Sequence, residues 1–253
     1  MKRTHMPRIE GRYWVAITLA SIFGTNLGDL YAHESGFGLM QGAGVLLLLS
    51  LIVFAVERAD RRTHQIYYWL VIVIIRTGAT NIGDYLAYAV RIPGIPLILG
   101  LSALIAVLAF TAGGTDKTGD KSVTDSIPAT GAVYWFTMLV AGVFGTVFGD
   151  VASQMMGQGV ASIVIGFVLA LVLAFVLWVG SSKAATAIGI YWFTIAIVRT
   201  AGTTMGDWLA ENKILHIGLP ASTVITGLVF VTVLLVWRSR LAATRDRLAP
   251  QGR

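Results

Sequence analysis

Eight long apolar segments, separated by short polar or glycine-rich breaks, make up most of the 253-residue chain. They cover approximately residues 13–33, 38–56, 66–89, 95–112, 133–154, 159–179, 187–211 and 219–237. Each is close to the roughly 20 residues that a helix needs to cross a bilayer. Continuous apolar runs favour helices over a membrane barrel, whose strands alternate apolar and polar residues. The pattern therefore predicts an all-α membrane protein with eight transmembrane helices.

The composition fits this class, with 56% hydrophobic and only 13% charged residues, against about 25% charged residues in soluble proteins. The net charge of +6 does not indicate a nucleic-acid partner, because most of the 19 Lys and Arg residues lie in the two tails and in alternate loops. By the positive-inside rule, this distribution predicts a multi-pass protein of the cell inner membrane with both termini cytoplasmic. The expected partners are therefore the lipid bilayer and a small ion or solute, and a homo-oligomer is left open.

A repeated motif ends every odd-numbered segment. Its four copies align without gaps: WVAITLASIFGTNLGD (14–29), WLVIVIIRTGATNIGD (69–84), WFTMLVAGVFGTVFGD (135–150) and WFTIAIVRTAGTTMGD (192–207). In each copy a Trp lies 15 residues before the Asp, a Thr lies four before it and a Gly immediately before it. The motif predicts four two-helix repeats.

The copies also alternate, because only the second and fourth carry an arginine, Arg76 and Arg199, eight residues before the Asp. This A-B-A′-B′ order predicts two pseudo-symmetric four-helix halves related by an axis along the membrane normal. We assign residues 1–115 to the first half (repeats A and B), 116–130 to a cytoplasmic linker and 131–253 to the second half (repeats A′ and B′).

The four Trp…Thr-x-x-Gly-Asp copies resemble an uncharacterised bacterial family of integral membrane proteins built of four two-helix repeats. The resemblance covers nearly the whole chain. It implies a multi-spanning architecture and carries no assigned activity. The third copy departs from the first two, with Val147 where they have Asn26 and Asn81.

Small residues recur four apart within the motif and predict close helix packing, because small side chains let helix backbones approach each other in lipid. The glycines expected at these faces are Gly24, Gly28, Gly83, Gly145, Gly149, Gly202 and Gly206. The four Trp residues, Trp14, Trp69, Trp135 and Trp192, are expected in an interfacial belt at the cytoplasmic side.

The chemistry of the motif is its intramembrane charge. Each charge at helix depth is unfavourable by about 2.5 to 3.5 kcal/mol, so intramembrane ionisable residues usually mark function. Four aspartates and two charge-balancing arginines, Arg76 and Arg199, would leave a net charge of −2, which protons or cations must balance. The expected ion or proton ligands are Asp29, Asp84, Asp150 and Asp207, with Thr25, Thr80, Thr146, Thr203, Asn26 and Asn81.

Hard oxygen ligands suit Mg²⁺, Ca²⁺ or Mn²⁺. We therefore expect a secondary transporter or exporter of a cation, most simply a divalent metal ion coupled to protons, with the four aspartates as tentative metal ligands. No other cofactor is expected. One alternative is an anion or organic-solute transporter that uses the two arginines, and another is a non-transporting membrane scaffold. No Ser-His or His-Glu pair is expected at membrane depth, so an enzyme is not predicted.

Overall fold

The computed structural model describes residues 6–34, 36, 39–60, 65–113, 131–180 and 188–248, and the predicted linker 116–130 lies outside them. The described residues form eight α-helices: α1 (Gly11–Glu34), α2 (Leu39–Ala59), α3 (Gln65–Asp84), α4 (Gly94–Gly113), α5 (Ala132–Met156), α6 (Gln158–Val179), α7 (Ile188–Glu211) and α8 (Leu219–Leu248). Most bounds lie within a few residues of the predicted ones, since a run of apolar residues in lipid must satisfy its backbone within one helix.

Two helices differ from the prediction at their C-terminal ends. The segment predicted as one helix over 66–89 is α-helical only to Asp84, and a π-helical turn, Tyr85–Ala89, follows. Such π turns are often found next to functional residues. Helix α8 continues ten residues past Arg238, where its candidate membrane span ends, and so includes polar sequence up to Leu248.

The odd-numbered helices form a closed inner ring. Helix α1 packs against α3, α3 against α5, α5 against α7, and α7 against α1. Each even-numbered helix lies outside the ring and packs mainly against the odd helix that follows it, and α8 packs against α1. The first and last helices therefore meet in one bundle, and the same packing pattern repeats four times around a central axis.

Glycine lets neighbouring ring helices approach closely. A Cβ atom added to Gly28 of α1 would lie 2.8 Å from Cβ of Thr80, and one added to Gly149 of α5 would lie 2.8 Å from Cβ of Thr203. A Cβ added to Gly145 would lie 2.5 Å from Cβ of Arg199. These separations are too short for any side chain, so the small residues of one helix contact the motif of the next.

The outer surface is apolar. Large side chains on the even helices are strongly exposed, with Phe110 at 81% and Trp178 at 83%. A continuous exposed apolar surface is typical of a protein that faces lipid. Among the described residues, five helices are long and apolar enough to cross a membrane: α3 with its π turn, α4, α5, α6 and α8. The apolar stretch of α2, Gln41–Glu57, is shorter.

The predicted belt of Trp residues is wrong. The four motif tryptophans are buried, with 2 to 8% of their surface exposed: Trp14, Trp69, Trp135 and Trp192. Each packs edge-on against the Tyr that precedes it, as Trp14 does against Tyr13 with ring centroids 5.2 Å apart. They are buried because ring closure covers this end of the odd helices.

Candidate functional site on the ring axis

The odd helices contribute side chains to the ring interior at intervals of four residues. From the N-terminal ends of these helices, the successive layers are Tyr13, Tyr68, Tyr134 and Tyr191; Ile17, Ile72, Met138 and Ile195; Ser21, Arg76, Gly142 and Arg199; Thr25, Thr80, Thr146 and Thr203; and Asp29, Asp84, Asp150 and Asp207. Consecutive layers lie about 6 Å apart along each helix. The sequence motif thus defines a polar column with its carboxylates at one end.

Four tyrosines close the end of the column opposite the aspartates. Their hydroxyl groups form a closed cycle of hydrogen bonds, Tyr13 to Tyr68 at 2.9 Å, Tyr68 to Tyr134 at 2.7 Å, Tyr134 to Tyr191 at 3.0 Å and Tyr191 to Tyr13 at 2.7 Å. All four side chains are at most 1% exposed. Sequence reasoning missed this tyrosine ring, although a Tyr stands immediately before the Trp of every copy.

Arg199 lies between the tyrosine ring and the centre of the column. Its side chain is fully buried, and one terminal nitrogen, Nη2, lies 3.7 Å from Sδ of Met138. Met138 belongs to the layer next to the tyrosine ring. The Nε and Nη1 atoms of Arg199 have no hydrogen-bond partner among the described residues. This arginine therefore faces the closed end.

Arg76 occupies the same motif position as Arg199 but points the other way. Its Nη2 donates to Oγ1 of Thr25 at 2.5 Å and to Oγ1 of Thr203 at 2.6 Å. Its Nη1 donates to Oγ1 of Thr146 at 2.9 Å and to the carbonyl of Gly142 at 3.3 Å. The guanidinium is thus held by threonines from the three other ring helices.

Two of the three threonines that accept from Arg76 donate their own protons back to a carbonyl of their helix. Thr25 donates to the carbonyl of Ser21 at 2.9 Å, and Thr203 donates to the carbonyl of Arg199 at 3.3 Å. Thr80 makes the same bond to the carbonyl of Arg76 at 3.3 Å. A hydroxyl group that donates its proton back to its own helix still has lone pairs that can accept a hydrogen bond from a donor on the ring axis. The threonine layer is therefore a set of acceptors.

The four aspartates lie beyond the threonines and are only partly buried. Each interacts electrostatically with Arg76. The carboxylates also interact with one another, as Asp207 does with Asp29 and Asp150. Among the described residues, no group of three His, Asp or Glu side chains is arranged to hold one metal ion. The aspartates form an acidic layer at the accessible end of the column without a preformed metal site.

The two predicted asparagine ligands are engaged in other contacts. The amide of Asn26 donates to Oγ of Ser222 on α8 at 2.5 Å. The amide of Asn81 donates to the carbonyl groups of Thr77 at 2.9 Å and Gly28 at 3.3 Å. Both amide nitrogens therefore join helices, whereas Oδ1 of Asn26 is buried with no hydrogen-bond partner among the described residues, and the ligand role of the two oxygens stays a prediction.

Comparison with known protein families supports the two-helix unit. A model described as Repeat of Unknown Function (DUF347) matches residues 12–63 and 190–240. These segments correspond to α1 with α2 and to α7 with α8, which are the first and last of the four motif-bearing units. No curated protein and no solved structure matches the chain.

Proposed function

We propose that this protein is a secondary transporter of a cation coupled to protons, and that the ion enters the column at the aspartate layer. The observation that carries the proposal is the asymmetry of the column. Four aspartates of intermediate exposure stand at one end, and a closed tyrosine ring followed by a fully buried apolar layer stands at the other. A column that is partly exposed at one end and closed at the other matches what alternating access requires of one of its states.

Charge balance supports a mobile positive partner. Two arginines offset two of the four aspartates, and a surplus of two negative charges in a membrane must be balanced by protons or cations. A divalent ion needs several oxygen ligands around one point. Divalent transport therefore requires the aspartate layer to contract when the ion binds, whereas protonation of individual carboxylates requires no such contraction.

The proposal includes a topology of eight membrane-spanning helices, with the closed tyrosine end toward the cytoplasm. It also places the protein in the cell inner membrane with both termini cytoplasmic. The distribution of basic residues supports this orientation. The aspartate layer then opens to the outer side.

A second candidate is an anion or organic-solute transporter. The observation that favours it is Arg199, a fully buried guanidinium with two nitrogen donors, Nε and Nη1, that lack a partner among the described residues. Buried cationic donors of this kind suit a carboxylate or phosphate. In this reading the aspartates serve as proton carriers and counter-ions.

The test is a flux screen in proteoliposomes for Mn²⁺, Mg²⁺, Ca²⁺, Na⁺, K⁺ and simple anions, with a pH-sensitive dye inside the vesicles. We expect cation flux with counter-movement of protons in the unaltered protein, and its loss in Asp29→Asn and Asp150→Asn. Glu34→Gln is the matched control, because Glu34 is an exposed acid outside the motif. It should keep full flux.

The outcomes separate the candidates. Equal cation flux in the aspartate variants and the unaltered protein refutes the role of these residues. Anion flux that Arg199→Ala abolishes, without any cation flux, favours the second candidate. No flux of any ion from a correctly folded, inserted protein favours a scaffold.

A further inference from the structure

We propose that the threonine layer is a binding site for a small cation with several N–H donors, of the guanidinium or ammonium type, and that Arg76 occupies this site in the present conformation. The site is already filled by such a group. Three threonine hydroxyls and one carbonyl accept from the guanidinium of Arg76 at 2.5 to 3.3 Å. The binding site itself is argued from these contacts, and only the claim that the bound cation is transported rests on the proposed function.

The ligand set determines the class of cation. The acceptors around Arg76 are neutral oxygens, and two of them, Oγ1 of Thr25 and of Thr203, belong to hydroxyls that donate their own protons back to helix carbonyls. Neutral oxygens spaced around a planar group suit a monovalent cation that donates several hydrogen bonds, whereas divalent metals prefer carboxylates and shorter bonds. The threonine layer therefore differs chemically from the aspartate layer beside it.

The other arginine shows that the site is specific to one layer. Arg199 has the same place in its repeat and is equally buried, but its Nη2 lies against Sδ of Met138, and its Nε and Nη1 have no hydrogen-bond partner among the described residues. The four repeats thus contribute four threonines and two arginines to the column. Of the two arginines, Arg76 is the one that hydrogen-bonds to the threonine hydroxyls. Arg199 is accordingly a matched control of the same residue type, burial and motif position.

The position of the site suggests a route. The threonines lie one layer, about 6 Å, from the aspartates. A cation collected by the carboxylates reaches the threonines only when the Arg76 side chain withdraws. Arg76 would thus act as a tethered competitor that fills the site while no cargo is bound.

The test measures the apparent Tm of purified Arg76→Ala, and of the milder Arg76→Gln, in guanidinium chloride at low millimolar concentration. Sodium chloride and tetramethylammonium chloride at equal ionic strength are comparisons, because neither cation has N–H donors. We expect guanidinium alone to raise the Tm of both variants. A ligand at about a hundred times its Kd raises the Tm of a chain of this size by roughly 5 to 10 °C.

Two controls decide whether the effect comes from the threonine layer. Arg199→Ala should show no shift that is selective for guanidinium. Adding Thr25→Val and Thr203→Val to Arg76→Gln should abolish the shift, since valine keeps the shape and removes the acceptor. The proposal is overturned if guanidinium stabilises Arg199→Ala equally, if the shift survives the valine changes, or if both Arg76 variants aggregate with and without guanidinium.

Flux separates this proposal from the proposed function. Guanidinium binding to the Arg76 variants, with no cation flux through the unaltered protein, would leave the site standing and remove transport. Cation flux that depends on the aspartates, with no guanidinium effect on Tm, would keep transport and remove the threonine site.

Discussion

Gly145→Ala should destabilise the protein, even though alanine is the better helix former. The added Cβ would lie 2.5 Å from Cβ and 2.6 Å from the backbone carbonyl carbon of Arg199. A backbone atom cannot rotate away, so α5 and α7 must separate. Overpacking of this kind is unfavourable by about 1 to 3 kcal/mol, and the helix preference of alanine offsets up to about 1 kcal/mol of it. We expect a net loss of up to about 2 kcal/mol.

The same substitution at two other positions of the chain provides matched controls. Gly100 on α4 has no neighbouring atom within 4 Å of its ideal Cβ, so Gly100→Ala should leave stability unchanged or raise it by up to about 1 kcal/mol. Gly78→Ala should also leave stability unchanged or raise it, because the nearest atom to its added Cβ, Cδ1 of Leu46 at 3.7 Å, lies at ordinary van der Waals distance.

The assay is the apparent Tm in one detergent at one scan rate, followed by fluorescence of the seven tryptophans. For a chain of this size, each kcal/mol corresponds to roughly 2 to 4 °C. Gly145→Ala should therefore melt several degrees below Gly100→Ala. An equal or higher Tm for Gly145→Ala would refute the close approach of α5 and α7.

Three further predictions concern other parts of the bundle. Tyr13→Phe should lower stability by about 1 to 3 kcal/mol, because it leaves the buried hydroxyls of Tyr68 and Tyr191 each short of a partner. The control Tyr31→Phe removes one part-buried hydrogen bond of 3.3 Å and should lower the Tm less. Equal Tm shifts would argue against the hydrogen-bonded tyrosine ring. Asn26→Leu should loosen the contact between α1 and α8, which cysteine cross-linking of these helices would detect as a lower yield; an unchanged yield would contradict the bond to Ser222. An epitope tag at either terminus should resist protease added to intact cells, whereas cleavage from outside would reverse the proposed orientation.

The structure supports some of the sequence predictions because they depend on local rules. Backbone groups in lipid must bond within their own segment, so apolar runs of membrane-spanning length become helices with predictable bounds. The motif repeats at fixed intervals, so its residues share one helix face whatever the neighbours are. The threonine and arginine layers of the column could therefore be foreseen from residues such as Arg76 and Thr80.

Tertiary structure decided which groups meet. Arg76 and Arg199 stand at the same position of the same motif, yet one binds threonines of three other helices and the other contacts Met138 on the side of the tyrosine ring. Local sequence could not distinguish them, because their partners lie up to 127 positions away along the chain. The burial of the tryptophans and the pairing of Asn26 with α8 depend in the same way on ring closure. Long-range packing assigns these contacts, since each helix alone offers several equivalent faces and partners.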